Sequence, residues 1–361
     1  MKRILCILDS LNAGGAETFM MKIYRGIDRN KYQLDFIVCE EGIYDQEVMS
    51  LGGKIYSIPL RTKKFWGAMK SIYNIVRENK YCTVIKLGSS PIVLPDLIMA
   101  KLGGAKKVCL RSCNAPNNLT KKQRFIDAIL RPTMNRITDV KISPSDLAAK
   151  YTFGEKCVQN NEVIYLHNAV DLKLFEFCEE KRRLVRSELY IKDDSFVVGH
   201  VGRFVNQKNH DFLIDIFCEI KKKHENAVLL LVGDGELKNA IRKKVVLNNL
   251  KDSVVFMGVR SDIPNILSAM DVLVLPSFYE GMPNSVIEAQ ATGLPCLVSD
   301  SITKEVNVTN CVDFFSLEKS AKEWADKVDQ LKIINRKGIG EIMKEKGYSI
   351  EDSIKLFCAI I

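Results

Sequence analysis

Two carboxylates stand eight residues apart in the segment Glu280-Gly281-Met282-Pro283-Asn284-Ser285-Val286-Ile287-Glu288. If a helix begins near Asn284, Glu280 lies in the loop before it and Glu288 lies about one turn inside. Carboxylates accept paired hydrogen bonds from vicinal hydroxyls, and the free N–H groups at a helix start bind anions. The segment therefore suits a ligand that carries both sugar hydroxyls and phosphate, although the spacing alone also fits an ordinary turn and helix start.

Two permanent cations, Arg203 and Lys208, lie five residues apart in a loop that is predicted to follow a strand. A guanidinium pairs with two phosphate oxygens at once, and an ammonium group provides a point charge. The combination suits a diphosphate. Surface ion pairing is the alternative, and the position at a strand end favours ligand binding.

Glycines follow other predicted strands. Gly14-Gly15 precedes a helical pattern, Gly233 lies in Val232-Gly233-Asp234-Gly235-Glu236, and Phe256-Met257-Gly258-Val259 offers backbone groups that could recognise the edge of a base. Glycine lets a backbone approach a ligand closely, and a helix start attracts an anion. None of these segments matches the G-x-G-x-x-G pattern of dinucleotide binding, and each is also compatible with an ordinary turn.

Short apolar runs, each followed by an amphipathic helical pattern, extend along the chain. The strands predicted in the first half are Ile4–Leu8, Leu34–Val38, Lys54–Ile58, Thr83–Leu87, Lys107–Leu110, Val140–Ile142 and Glu162–Leu166. Those predicted in the second half are Phe196–Val201, Ala227–Val232, Ser253–Phe256, Val272–Leu275 and Pro295–Val298. The alternation predicts βαβ units around two parallel sheets. Ligands bind beyond the carboxyl ends of such strands, where the candidate residues stand.

A chain of 361 residues exceeds one ordinary core, so two domains are expected. The charged stretch from Asp171 to Ser195 separates the two series of strands. We expect one domain over residues 1–170 and a second over residues 171–345. A terminal helix within residues 346–361 could cross back to the first domain.

Composition narrows the class of protein. The formal net charge is +9, but the basic clusters contain few aromatic residues and match no nucleic-acid-binding motif. The eleven cysteines include no C-x-x-C pair, so reduced thiols, no metal site and a cytoplasmic location are expected. No apolar run approaches the ~18 residues that a membrane-spanning helix needs.

Taken together, the motifs resemble those of retaining glycosyltransferases of glycosyltransferase family 4, in particular the capsule and exopolysaccharide subgroup. The matching segments are Gly14-Gly15-Ala16-Glu17, His167-Asn168-Ala169-Val170-Asp171, Gly202-Arg203 with Lys208, Val232-Gly233-Asp234-Gly235-Glu236, and Glu280 with Glu288. The resemblance implies the α/β GT-B fold, in which two Rossmann-like domains with parallel sheets face each other across a cleft.

The resemblance also implies an activity. A sugar would move from a nucleotide-diphosphate donor, a UDP-sugar in this subgroup, to a hydroxyl of a lipid-linked or polysaccharide intermediate in bacterial surface glycan synthesis. Catalysis would rest on electrostatic stabilisation of the departing diphosphate, with no side-chain nucleophile. No cofactor and no metal are implied, consistent with the absence of a D-x-D motif.

Roles for individual residues follow from the same resemblance. Arg203 and Lys208 would bind and stabilise the diphosphate, Glu280 a hydroxyl of the donor sugar, and Glu288 the ribose hydroxyls. The remaining donor-binding positions would be Gly14, Gly15, Gly233, Val259, Gly281, Met282, Pro283, Asn284, Ser285 and Val286.

The chain departs from the family pattern in one loop. Many relatives carry histidines after the fifth strand of the first domain, whereas this loop reads Arg111-Ser112-Cys113-Asn114. Arg111 and Asn114 are therefore candidates for contact with the acceptor or the donor sugar.

Two alternatives stay open at the level of the sequence. One is another enzyme of the GT-B type, a nucleotide-sugar epimerase or a phosphorylase, although no lysine is marked as a pyridoxal phosphate site. The other is a non-enzymatic basic protein that binds a membrane or nucleic acid. The segment from Arg61 to Lys80 has apolar side chains at helical spacing beside several cations, so it could contact the inner face of the cell membrane. More often such a stripe packs into a core.

Overall fold

The computed structural model describes residues 1–12, 14–113, 119–331 and 335–361. The chain divides into two compact units, one formed by residues 1–169 with 350–361 and the other by residues 170–349. Each unit is a Rossmann-like domain built on a parallel sheet. Among the described residues, no helix combines the length and the apolar character needed to cross a bilayer.

The first unit contains a seven-stranded sheet in the order β3-β2-β1-β4-β5-β6-β7. Its strands are β1 (Lys2–Ile7), β2 (Tyr32–Val38), β3 (Ile55–Ser57), β4 (Thr83–Leu87), β5 (Lys107–Arg111), β6 (Val140–Ser143) and β7 (Val163–Tyr165). The helices between them are α1 (Gly15–Gly26), α2 (Asp45–Ser50), α3 (Phe65–Glu78), α4 (Leu94–Leu102), α5 (Lys121–Ile137), α6 (Asp146–Phe153) and α7 (Glu155–Gln159). Both faces of the sheet are covered: Ile4 and Cys6 of β1 pack into one core, Leu5 and Ile7 into the other.

The second unit contains a six-stranded sheet in the order β10-β9-β8-β11-β12-β13. Its strands are β8 (Val197–Val201), β9 (Val228–Val232), β10 (Val254–Gly258), β11 (Val272–Leu275), β12 (Cys296–Ser299) and β13 (Val312–Phe315). Its helices are α8 (Glu179–Glu188), α9 (His210–Lys223), α10 (Lys238–Leu247), α11 (Ile263–Ala269), α12 (Asn284–Ala291), α13 (Ala321–Asp329) and α14 (Ile339–Glu345). Every predicted strand is present, and β13 is an additional strand that the sequence patterns did not predict.

Helix α15 (Ile350–Ile360) belongs to the first unit. It packs along α1, and its Phe357 is buried in the core that α1 covers. The Lys107 side chain donates to the carbonyl oxygen of Ile360 at 2.8 Å, and Lys2 donates to that of Ile361. These bonds hold the end of the chain against strands β1 and β5.

The charged stretch between the two series of strands contains helix α8, which packs against α11 in the second unit. Arg182 and Arg186 of α8 reach the two carboxylate oxygens of Asp271 at 2.6 Å and 2.8 Å. The Arg186 side chain is only 2% exposed, and it also donates to the carbonyl oxygen of Ala269 at 3.1 Å. Arg182 and Arg186 therefore serve as largely buried contacts of the domain, whereas Arg183 between them is 74% exposed.

Candidate functional site

A lysine and a glutamate from different loops of the second unit form an ion pair. Lys208 ends a 3-10 turn (Asn206–Lys208) that follows β8, and Glu280 lies between β11 and α12. Lys208 Nζ lies 2.6 Å from Glu280 Oε1, and the side chains are 15% and 10% exposed. Because β8 and β11 are neighbours in a parallel sheet, their carboxyl ends meet and bring these distant residues together.

The two loops are also joined through hydrogen bonds beside the ion pair. The Gln207 carbonyl oxygen accepts from the N–H of Phe278 at 2.9 Å. The Gln207 side-chain amide donates to the carbonyl oxygen of Tyr279 at 2.9 Å, and Asn209 Nδ2 donates to that of Pro276 at 3.1 Å. The residues next to Lys208 are thus fastened to the residues before Glu280.

Arg203 presents a second positive charge at the same strand end. Arg203 is exposed, and among the described residues no acidic side chain lies within ion-pair distance of its guanidinium. The ammonium group of Lys208 is compensated by Glu280, whereas no carboxylate in the described part of the chain compensates the charge of Arg203. An exposed, uncompensated guanidinium next to a lysine can bind an anionic group.

Close backbone contact joins the β8 loop to the loop after β9. Gly233 has a φ of +135°, and a Cβ atom there would lie 2.1 Å from the carbonyl oxygen of Gly202. Gly235 similarly touches the backbone of Phe204, and the N–H of Phe204 donates to the carbonyl oxygen of Asp234 at 2.9 Å. The loop that carries Arg203 and Lys208 therefore rests on a glycine turn in which any larger residue would force the backbone to shift.

The start of α12 lies directly after Glu280. Pro283 precedes the helix and Asn284 is its first residue, as the sequence predicts. Within the segment, Met282, Pro283, Ser285 and Val286 are buried, Gly281 and Asn284 are half-buried, and Glu288 is half-buried inside the helix. Val259, 78% exposed, follows β10, and strand β9 lies between β10 and β8, the strand whose loop carries Lys208.

The first unit carries the remaining predicted positions. Gly14 is the residue before α1 and Gly15 is its first residue, so the glycine pair does open a helix. A Cβ atom on Gly14 would lie 2.1 Å from a carboxylate oxygen of Glu17, so a side chain at position 14 would require the Glu17 side chain to move.

Arg111, at the end of β5, is buried and not exposed to a ligand, since its residue is only 1% exposed. Its guanidinium donates to Asn168 Oδ1 at 2.8 Å and lies 4.3 Å from the centre of the Phe19 ring. Burial lowers the pKa of Arg111. A direct contact of Arg111 with a sugar is therefore not available in this conformation, while Asn114 lies outside the described residues.

Metal ligands do not cluster in the described part of the chain. Residues 1–12, 14–113, 119–331 and 335–361 contain no group of three or more His, Cys, Asp or Glu side chains arranged to hold an ion. In the described loops that follow β8 and β11, the charged side chains singled out above are instead two cations, Arg203 and Lys208, and one carboxylate, Glu280.

The sequence is similar to those of known proteins over nearly its full length. Residues 195–332 match the family described as glycosyl transferases group 1. The putative glycosyltransferase EpsF of Bacillus subtilis is 30% identical over 365 residues, covering 98% of this chain and 94% of that protein. The chain belongs to the group 1 glycosyltransferases.

Further relatives agree with this assignment. The UDP-Gal:alpha-D-GlcNAc-diphosphoundecaprenol alpha-1,3-galactosyltransferase of Escherichia coli is 32% identical over 257 residues, covering 69% of this glycosyltransferase and 65% of that protein. The fold is similar to that of Anabaena HepE, whose crystal structure was determined in complex with UDP-glucose. The TM-score is 0.78, the sequences are 16% identical, and 99% of each chain is covered. At this identity the likeness concerns the fold, and the glycosyltransferase has the GT-B fold.

Three residues of the site were not found by sequence reasoning. Gln207 was not predicted because its amide is uncharged and its partner, Tyr279, lies 72 residues away in the sequence. His200 and His210 are buried close to Lys208, and burial keeps the pKa of His210 at about 4 and that of His200 well below its usual range. The position of His210 two residues after Lys208 was the available signal.

We expect Gln207→Ala to lower kcat/KM for the donor about tenfold, because the Gln207 amide ties the Lys208 loop to the Glu280 loop. The backbone bond to Phe278 remains, so the free energy of unfolding should fall by only about 0.5–1.5 kcal/mol. Steady-state kinetics and thermal denaturation measure the two effects. Asn226→Ala, which removes a 2.7 Å bond to the carbonyl oxygen of Asp194 in the same unit, is the control and should leave kcat/KM unchanged.

Proposed function

We propose that this glycosyltransferase transfers a sugar from a UDP-sugar to a hydroxyl acceptor with retention of configuration, as a member of glycosyltransferase family 4. The acceptor is a lipid-linked or polysaccharide intermediate of bacterial surface glycan synthesis. The observation that carries the proposal is the Lys208–Glu280 ion pair beside the uncompensated charge of Arg203. It combines groups for phosphate and for sugar hydroxyls at one end of one sheet.

The charge of the departing diphosphate is the main electrostatic demand of such a reaction. As the bond to the anomeric carbon breaks, negative charge grows on the diphosphate, and fixed cations that already face it lower the barrier. Arg203 offers a planar pair of donors to two oxygens, and Lys208 offers a point charge. These two side chains supply the role that a divalent cation has in other transferases, so we propose that transfer requires no metal and no cofactor.

Lys208 can serve the diphosphate without leaving Glu280. An ammonium group has three donors, and its contact with Glu280 Oε1 is an ion pair without hydrogen-bond geometry, so the donors remain available to phosphate oxygens. The carboxylate of Glu280 also has acceptor positions beyond the one facing Lys208, and we assign them to a hydroxyl of the donor sugar. The pair would then hold phosphate and sugar at a fixed separation, while Glu288 on α12 accepts from the ribose hydroxyls.

The donor and acceptor classes are inferred from similarity. The Escherichia coli relative is named for a UDP-galactose donor and a diphosphoundecaprenol-linked acceptor. Anabaena HepE, which shares the fold, was crystallised with UDP-glucose. Both proteins favour a uracil nucleotide for this chain, and the first favours a lipid-linked acceptor. The identity of the transferred sugar is left to experiment.

Thermal denaturation in the presence of nucleotides tests the proposal. The purified protein would be heated with ADP, GDP, UDP and a panel of UDP-sugars in buffer containing EDTA. We expect UDP or one UDP-sugar to raise the midpoint in the wild-type chain, since a ligand that binds only the folded state stabilises it. The rise should vanish in Lys208→Ala. A well-folded wild-type chain that no nucleoside diphosphate stabilises would contradict the donor assignment.

A membrane contact fits an enzyme with a lipid-linked acceptor, and we propose it for the start of α3. Met69, Ile72 and Val76 of the predicted stripe are buried in the core of the first unit. Phe65 and Trp66 remain 41% and 80% exposed and lie directly after Lys63 and Lys64. Exposed aromatic rings beside cations bind the interface of an anionic bilayer.

Co-sedimentation with vesicles tests this contact. We expect the wild-type chain to sediment with vesicles that contain phosphatidylglycerol at low salt, and Trp66→Ala to bind several-fold more weakly. Tyr190→Ala is the matched control, because Tyr190 is 96% exposed but lies in the second unit. Equal binding by Trp66→Ala and the wild-type chain would exclude Trp66 as an anchor.

A further inference from the structure

His210 packs beneath the loop that carries the two proposed phosphate ligands. It is the first residue of α9, follows Lys208 by two positions and is 1% exposed. Its imidazole stacks face to face on the ring of Phe204, with 4.2 Å between centroids and 18° between planes. The ring of His200 meets it edge-on at 4.5 Å.

Phe204 joins the loop after β8, which carries Arg203 and Lys208, to the loop after β9. Its N–H donates to the carbonyl oxygen of Asp234 at 2.9 Å, and its own carbonyl oxygen accepts from the N–H of Leu237 at 2.9 Å. Arg203 directly precedes Phe204 in the chain. The Phe204 backbone is thus bonded to the loop after β9 while its ring stacks on His210, so packing of the ring acts on the backbone next to Arg203.

The ring nitrogens of His210 contribute no hydrogen bond within the described residues, since neither Nδ1 nor Nε2 has a partner there. His200 differs, because its Nδ1 donates to the carbonyl oxygen of Val274 at 2.9 Å. Burial, with the nearby charge of Lys208, also lowers the pKa of His210 to about 4, so the ring is neutral near pH 7. The contact of His210 with Phe204 is therefore made by the face of a neutral ring.

We propose that His210 is a positioning residue for donor binding: its ring holds Phe204 in place and thereby fixes Arg203 and Lys208 for the diphosphate. This inference rests on the proposed function, because it assigns a role to a residue that touches neither donor nor acceptor. The face of the ring performs the role, so a residue that keeps an aromatic face should substitute for histidine.

The full-length chain with His210→Ala or His210→Phe tests the inference, with UDP as the probe. We expect His210→Ala to weaken UDP binding at least tenfold and to raise KM for the UDP-sugar more than it lowers kcat. His210→Phe should bind UDP within about threefold of the wild-type chain and be no less stable, since it removes two unpaired polar atoms. Isothermal titration calorimetry, kinetics and thermal denaturation provide the readouts.

Two further variants separate positioning from general loss of stability. Ile220→Ala empties a buried site at the far end of the same helix, so it should lower the midpoint but leave UDP affinity unchanged. Phe204→Leu breaks the stack from the other side and replaces His210→Ala should that variant not fold. The double variant Phe204→Leu/His210→Ala should bind UDP no more weakly than the weaker single variant, because both remove one contact.

The outcomes distinguish this inference from the function on which it rests. A wild-type chain that binds no UDP overturns the proposed function and the positioning role together. A wild-type chain that binds UDP while His210→Ala binds it equally well overturns the positioning role alone. The same follows if His210→Phe is as weak as His210→Ala, or if the effects of Phe204→Leu and His210→Ala add.

Discussion

Lys208→Ala is expected to reduce sugar transfer by about 10²–10³-fold, because removal of one fixed donor to a developing negative charge has effects of this size. The substitution also leaves the carboxylate of Glu280, whose side chain is 10% exposed, without its cation. We expect that loss to reduce the free energy of unfolding by about 1–3 kcal/mol. Transfer kinetics and denaturation must therefore be measured on the same preparation.

Lys208→Met separates the two effects. A Cβ atom on Gly202 would lie 3.1 Å from Lys208 Cε, so the lysine stem packs over this glycine, and methionine retains most of that stem without the charge. It should fold and still lose transfer. Lys327→Ala is the control, because its 2.7 Å ion pair with Asp313 lies in the same unit on side chains that are 27% and 44% exposed, and such a pair is worth about 1 kcal/mol or less. Wild-type transfer by Lys208→Met would remove Lys208 from the donor site.

The strands were predictable because they are buried on both faces. Thr83–Leu87 and Val272–Leu275 begin and end where the sequence predicts, and both are buried along their whole length. Strand β13 was missed because only Val312 is buried in it, and Asp313 interrupts the apolar pattern. An edge strand of a parallel sheet has fewer neighbours to cover it, so its sequence carries less of the signal.

Helix α8 shows where charge patterns mislead. Glu179 to Arg186 contains mainly charged residues and no wide apolar stripe, which is typical of a solvated connection. Arg182 and Arg186 pack through hydrogen bonds to carbonyl oxygens and through the carboxylate of Asp271. Such partners lie far away in the sequence, so their complementarity could not be read from the segment itself.

The candidate site, like the fold, was only partly predictable from the sequence. Lys208 and Glu280 were singled out by residue type and by position after predicted strands, and the order of strands then brings them within 2.6 Å. Arg111 also follows a strand, yet it packs under Phe19 and Asn168 and is closed to solvent. Position at a strand end was common to both arginines, but only the three-dimensional packing distinguishes exposed Arg203 from buried Arg111.

Gly233→Ala is expected to be the most damaging substitution that removes no functional group. Its φ of +135° is strained for any side chain, at a cost of about 1–3 kcal/mol. The added Cβ would also lie 2.1 Å from the carbonyl oxygen of Gly202, and relief of such a contact costs about 1–3 kcal/mol more. A loss of about 3 kcal/mol should lower Tm by about 6–12 °C for a unit of this size.

The same shift should weaken UDP binding, because Gly202 directly precedes Arg203 and has to move away from the new methyl group. Gly338→Ala is the matched control. Its φ of +79° is also positive but lies in the milder left-handed region, and a Cβ atom there meets nothing within 4 Å, so the substitution keeps part of the backbone strain and lacks the contact. Gly233→Ala should therefore lose more stability than Gly338→Ala and should alone lose UDP affinity. Equal losses in both variants would mean that backbone strain, and not the contact between the β8 and β9 loops, maintains the site.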